Sequence, residues 1–337
     1  MKLFIVGDHR TGTGPANVTK EYIANCPDNV MYQKKTGKLA RVPELLWKII
    51  CCDTVLFSGY SRQNLLGIGA AHMLGRKTAY LMHGCVAYEN AINGVPDETM
   101  NDCERRTLEG CDAIYAVSGR FAEWLKAQYP EYAHKIDYVI NGVDGIKAPM
   151  QVAAENVQDR SGVSNIGRMI FSIGGGMPRK KIKHICEAVK RLNDQGYNLT
   201  MTVVGDNGLD DEAINAYPFV KNLGLVGHDR VAKLFEEADL FVQNSCFETF
   251  GLAPVEALSL NCSVLLSDKI GALDIIETAE ESDIIYDYKN ADEIAEKIKG
   301  ILDRPNADRL AAGIDFDKYS WSERGKVLWE KLIQLQN

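Results

Sequence analysis

The sequence predicts an α/β fold built from two doubly wound domains facing a cleft, and three observations carry that prediction. Short apolar runs alternate with helix-sized segments along nearly the whole chain. Strands spaced in this way read as βαβ units, because parallel neighbours need a crossover connection. The alternation stops between residues 141 and 167, a polar, glycine-containing stretch without periodicity, which marks a domain boundary. The length of 337 residues suits two or three domains of about 100–200 residues each.

In chain order, Leu3-Phe4-Ile5-Val6-Gly7 reads as the first strand, and Gly12-Thr13-Gly14 then turns into a helix opening at Pro15, a good first helical residue. Further strands are predicted at 54–58, 78–82, 113–118 and 136–140, and after the break at 169–174, 199–205, 239–243, 263–267 and 283–286. Ile182, Ile185, Val189 and Leu192 fall on one face of an intervening helix. Trp321, Val327, Leu328, Leu332 and Leu335 recur at helical spacing behind Ser320, a suitable N-cap, so a long final helix must bury that face.

Composition narrows the function classes. With 46% hydrophobic and 25% charged residues the chain is neither disordered nor collagenous. A net charge of −8 argues against a protein whose whole surface binds nucleic acid or an anionic membrane. Nine cysteines without a CxxC pair fit neither a zinc site nor a disulfide framework, and they read as reduced, mostly buried thiols. No apolar run approaches the roughly 18 residues of a spanning helix, and Met1 leads into the first strand without a signal-peptide charge pattern. The expectation is a cytoplasmic protein. Lys34, Lys35, Lys38, Arg41 and Lys48 surround Leu45, Leu46, Trp47, Ile49 and Ile50, which suits either a core-packing amphipathic helix or a peripheral contact at the inner face of a membrane.

Ligands of doubly wound sheets bind at the carboxyl ends of the strands, so the segments there hold the candidate site residues. After the strand at 239–243, Gly251 and Pro254 punctuate a loop that opens into a helix, where backbone amides can meet a phosphate or sugar oxygen. Glu248 on that loop and Glu256 within the helix can hold a polyol at two places; the same spacing also suits a loop acid plus a solvated helix acid. Arg179, Lys180, Lys181 and Lys183 crowd a helix start, where cations oppose the macrodipole unless an anion offsets them. His83 ends a strand, and Gly14 belongs to the first glycine-rich turn.

The string Cys246-Phe247-Glu248-Thr249-Phe250-Gly251-Leu252-Ala253-Pro254-Val255-Glu256-Ala257-Leu258 resembles the Glu, seven residues, Glu signature of retaining glycosyltransferases of family four (glycosyl transferases group 1), whose GT-B fold is two Rossmann-like domains. The resemblance implies Glu248 beside the donor sugar, Glu256 on the ribose, and backbone contacts to the sugar from Phe250, Gly251 and Leu252. Phe171 through Lys181 resembles the segment whose Arg and Lys clamp the donor diphosphate. The Lys corresponds to Lys180, but Gly175 stands at the Arg position and Lys181 at the following Gly, so Arg179 is the nearest replacement. His83-Gly84 resembles the family's His-Gly, with the His facing the donor sugar, and the loop at Gly14 would line the cleft near the donor phosphates.

Asn141-Gly142-Val143-Asp144 and Tyr319-Ser320-Trp321 resemble the family's hinge and closing helix. The implied domains are residues 1–150 with 318–337 on the acceptor side and 165–317 on the donor side. The implied function is a retaining, metal-independent hexosyltransferase without a cofactor, its nucleoside-diphosphate-sugar being a substrate. Its acceptor would be a hydroxyl of a glycan, a lipid-linked or a small molecule, with no nucleic-acid partner. A non-catalytic partner subunit, favoured by the missing Arg, and a nucleotide-sugar epimerase stay open beside it.

Overall fold

The computed structural model describes residues 1–27, 30–35, 37–143 and 167–336. Of the predicted boundary stretch between 141 and 167, residues 144 to 166, with Asp144 of the hinge, lie outside the described residues, as does the side chain of Lys38. The chain forms two compact units, one of Met1–Ala91, Pro96–Val143 and Asp317–Asn337, the other of Ile92–Val95 and Asp144–Phe316.

In the first unit, β1 (Leu3–Gly7), β2 (Val30–Tyr32), β3 (Thr54–Ser58), β4 (Lys77–Met82), β5 (Ala113–Ala116) and β6 (Ile136–Tyr138) form a sheet in the order β2-β1-β3-β4-β5-β6. All pairs are parallel, with β1 and β3 in register from Leu3 opposite Thr54 to Gly7 opposite Ser58. Leu3 to Val6 are fully buried, as expected when helices cover both faces of a parallel sheet. The edge strand β2 was not predicted: it is three residues long and only half buried, too short for a periodic signal.

The final helix (Trp321–Gln334) starts at Ser320, whose hydroxyl accepts from the Glu323 amide at 3.3 Å. Its apolar face closes on the helix Gly14–Asn25, where the Trp321 ring meets Tyr22 edge-on at 5.5 Å. Gly325 makes the approach possible, since a Cβ there would stand 2.7 Å from the Asn25 carbonyl oxygen. The basic and apolar segment forms the helix Lys38–Cys51 and divides its apolar residues. Leu45 and Ile49 enter the core, whereas Leu46, Trp47 and Ile50 face outward, Trp47 being 67% exposed. Lys48 is drawn onto Glu44 and the Tyr32 carbonyl.

In the second unit, β7 (Arg168–Ile173), β8 (Leu199–Val204), β9 (Val220–Asn222), β10 (Leu240–Gln243), β11 (Ser263–Ser267) and β12 (Ile284–Ile285) form a second parallel sheet, ordered β12-β11-β10-β7-β8-β9. The helix after β7, Ile182–Asp194, buries Ile182, Ile185, Val189 and Leu192 and lies against the helix Ala291–Asp303. Its N-cap, Lys181, is left-handed and makes no side-chain cap bond. Missing a cap costs about 1 kcal/mol, and burying a single Leu or Ile contributes about 1.5–3 kcal/mol, so the buried stripe decides that this helix forms. Both predicted sheets are present, and the architecture is two doubly wound Rossmann-like domains.

Six cysteines are buried and none of the described ones is paired. Among the described residues, no helix is long and apolar enough to cross a membrane.

Candidate functional site

In the second unit three strand ends converge. Beyond β7, Gly174-Gly175-Gly176 leads into the single 3₁₀ turn Pro178–Lys180. Beyond β10 runs the loop 244–251, and beyond β11 the segment at Asp268-Lys269-Ile270. Backbone bonds tie them together: Cys246 N–H donates to the Arg179 carbonyl at 2.9 Å, Glu248 N–H to that of Lys269 at 3.2 Å, and Gly271 N–H to that of Glu248 at 3.1 Å.

This framework brings Arg179 and Lys180 onto Glu248. Lys180 Nζ donates to Glu248 Oε2, Arg179 Nη1 lies 3.4 Å from the same oxygen, and Gln243 Nε2 donates to it at 3.0 Å. The Glu248 side chain is only 13% exposed. Burial alone would raise its carboxyl pKa, but the charges of Lys180 and Arg179, with their hydrogen bonds, outweigh burial and hold it below the ordinary 4.5. Glu248 is therefore an ionised carboxylate, and the cations of the trio outnumber it.

The departure at Gly175 has a steric cause. Its φ is +54°, and a Cβ there would stand 2.0 Å from the Asp206 carbonyl oxygen, because the loop after β7 lies on the loop after β8. No arginine fits at that position, and the guanidinium that reaches the carboxylate is that of Arg179. Phe250 is buried, and Gly251 caps the helix Leu252–Ser259 at a φ of +84° that favours glycine. No side chain caps this helix, which suits its first-turn amides, starting at Leu252, to an oxyanion. Glu256 lies one turn further along the same helix, half-buried.

In the first unit His83 follows β4, and its Nε2 lies 2.7 Å from Ser58 Oγ at the end of β3. Burial pushes the imidazole pKa down from 6.5 to about 4, so the ring is neutral at physiological pH. Gly14 is the first residue of its helix, one before the predicted Pro15, and the space around it is open. Within that turn it is Gly12, at φ +76°, whose backbone favours glycine. An open hollow of about 480 Å³, lined by Arg62, Leu66, Glu98 and Asp102 among others, contains none of the predicted site residues.

Gln243 and Ser58 are not among the residues expected from the sequence, although both end predicted strands and ligands of such sheets bind at strand ends. Nothing in the sequence singles out Thr19, which lies inside a helix.

Residues 155–313 match the family model of glycosyl transferases group 1, so the resemblance read from the sequence holds over that stretch. An uncharacterized glycosyltransferase of Methanocaldococcus jannaschii is 25% identical over 233 residues, 65% of this chain and 59% of that protein. Alpha-D-kanosaminyltransferase of Streptomyces kanamyceticus is 21% identical over 294 residues, 82% of this chain and 74% of that one. The chain spans 59% and 56% of the lengths of the Methanocaldococcus protein and of spore coat protein SA of Bacillus subtilis. Among solved structures, HepE of Anabaena, in complex with UDP and glucose, superposes with a TM-score of 0.71 at 15% identity, covering 99% of this chain and 100% of that one. Sucrose-phosphate synthase from Thermosynechococcus elongatus gives 0.67 at 15% identity, with 99% and 98% covered. These likenesses establish the GT-B fold.

Proposed function

We propose that this protein is a retaining glycosyltransferase that moves a hexosyl group from a nucleoside-diphosphate-sugar to a hydroxyl of a glycan, lipid-linked or small-molecule acceptor. The observation that carries the reading is the convergence of Lys180 and Arg179 on the buried, ionised Glu248 at the strand ends, inside the stretch that matches the family. When the sugar departs, negative charge grows on the leaving diphosphate. A lysine and a guanidinium already fixed in a water-poor site stabilise that charge without reorganising. Glu248 orients the sugar and, as a carboxylate, favours positive charge developing at the anomeric carbon. Glu256 holds the ribose, the backbone at Phe250, Gly251 and Leu252 holds sugar hydroxyls, His83 acts on the sugar, and Gly14 belongs to the phosphate-side loop. The nucleotide sugar is a substrate, and no cofactor enters the scheme.

The test is a panel of nucleoside-diphosphate-sugars, beginning with UDP-glucose because UDP and glucose are named for the HepE complex. Products are followed by NMR, with and without acceptor and in excess EDTA. Transfer with the donor's anomeric configuration, persisting in EDTA, is expected. An inverted product would refute retention, and loss in EDTA restored by a divalent ion would refute charge stabilisation by Lys180 and Arg179 alone.

Gly175 favours a second reading, a non-catalytic partner subunit that retains the fold and binds acceptor or protein without releasing nucleotide, since the family's Arg cannot stand there. Acceptor binding with no nucleotide release across the whole panel would select it. A peripheral membrane contact is proposed for the outer side of the helix Lys38–Cys51, where Leu46, Trp47 and Ile50 are exposed. Co-sedimentation with anionic vesicles that is lost in Trp47→Ser checks it.

A further inference from the structure

Thr19, Ser58 and His83 form a chain of hydrogen bonds with a readable direction. Thr19, in the helix Gly14–Asn25, directs Oγ1 to the Pro15 carbonyl at 2.8 Å. Ser58 Oγ lies 2.6 Å from Thr19 Oγ1 on one side and 2.7 Å from His83 Nε2 on the other. The approach depends on Gly7, which pairs with Ser58 in the sheet. A Cβ on Gly7 would stand 2.8 Å from Ser58 Cβ and 3.3 Å from Thr19 Cγ2. Thr19 and Ser58 are 2% and 7% exposed, so their hydroxyls find their partners inside the protein.

The proton positions follow from what each group can do. A carbonyl only accepts, and each hydroxyl has one proton to give. Thr19 gives its proton to the Pro15 carbonyl and meets Ser58 with a lone pair. Ser58 then donates to Thr19 and has only a lone pair left for His83. The ring nitrogen facing Ser58 must therefore carry a proton.

We propose that Thr19 and Ser58 are positioning residues that hold His83 as its neutral Nε2–H tautomer and so make Nδ1 the accepting nitrogen of the ring. Burial supports the assignment, since it keeps the ring uncharged. The chemical consequence is that His83 can accept a hydrogen bond or a proton from a hydroxyl at Nδ1 but cannot donate one there. That consequence rests on the reading of His83 as the residue acting on the donor sugar; the tautomer itself does not.

The experiment is a long-range ¹H–¹⁵N correlation spectrum of the full chain labelled at histidine, recorded at pH 7 for the parent and three variants alongside steady-state kinetics with UDP-glucose. The parent should show His83 protonated at Nε2. Thr19→Val, nearly isosteric, removes the acceptor for the Ser58 proton, which then turns to Nε2 and shifts the ring toward the Nδ1–H form. Ser58→Ala removes the acceptor facing Nε2 and leaves both tautomers populated. Both variants should lower kcat about tenfold with KM for the donor changed less than about twofold. Thr19→Ser keeps the hydroxyl and should restore the parent spectrum and rate. A parent already protonated at Nδ1, or a Thr19→Val spectrum identical to the parent's, would overturn the proposal. The predicted spectra in a protein that transfers no sugar would uphold the chain and remove only the reading of His83 as a sugar-facing residue.

Discussion

The two units share one architecture, a six-stranded parallel sheet with its candidate residues at the carboxyl ends, yet they treat a buried titratable group in opposite ways. In the first unit His83 meets the hydroxyl of Ser58 and is kept neutral. In the second, Glu248 meets an ammonium and a guanidinium and is kept ionised. An unpaired buried carboxylate costs several kcal/mol, so Glu248 is tolerated because the turn Pro178–Lys180 delivers two cations to it. The sheet supplies the place, and the loops and neighbouring strand ends supply the charge state.

Substitution at either group tests this difference between the units. The largest effect is expected for His83→Ala, which should lower the transfer rate by about 10²–10⁴-fold while nucleotide affinity, read by calorimetry, stays nearly unchanged. Glu248→Ala leaves Lys180 and Arg179 facing each other without their carboxylate. It should cost about 3 kcal/mol in urea unfolding at pH 7 and should lower turnover more than donor binding.

Acidification separates the units by their pH windows. Between pH 6.5 and about 4 the unfolded chain protonates His83 and the folded one does not, so stability falls across that window. The loss on going from pH 7 to pH 5 should be on the order of 2 kcal/mol, and it should be absent in His83→Gln, so that it appears in full as the difference between the parent and that variant. Glu248, with its folded pKa below 4.5, adds stability above that value and loses it only at lower pH. Glu104 works against His83, because burial raises its carboxyl to about 7 and protonation then stabilises the fold as pH falls from there toward 4.5. The comparison must therefore be made between parent and variant at each pH. Glu256→Ala should weaken nucleotide binding by about 1–3 kcal/mol, measured by calorimetry.

Ten of the twelve strands among the described residues were legible in the sequence, because buried parallel strands are continuous apolar runs. The two that were not, Val30–Tyr32 and Val220–Asn222, are three-residue edge strands with no fully buried residue. Of the candidate site, the positions of His83 at a strand end and of Glu248 on the loop after β10 were legible, and the resemblance implies roles for them. The partners were not. Arg179 and Glu248 are 69 positions apart and Thr19 and Ser58 are 39 apart, and only the packing of loops and the absent Cβ of Gly7 bring each pair together. The departure at Gly175 was visible as a missing arginine, but its reason, the Asp206 carbonyl in the way, needed the three-dimensional arrangement.

Calorimetric titration of UDP and UMP into the parent, Arg179→Ala and Lys180→Ala tests directly the proposal that Lys180 and Arg179 hold the second phosphate of a nucleotide donor. Both cations sit at the buried carboxylate, 12% and 15% exposed, where a diphosphate can reach them only by sharing them with Glu248. Each substitution should weaken UDP binding about tenfold or more and leave UMP binding within about twofold, because only the diphosphate needs the pair. Equal losses for UDP and UMP, or none for either, would contradict it.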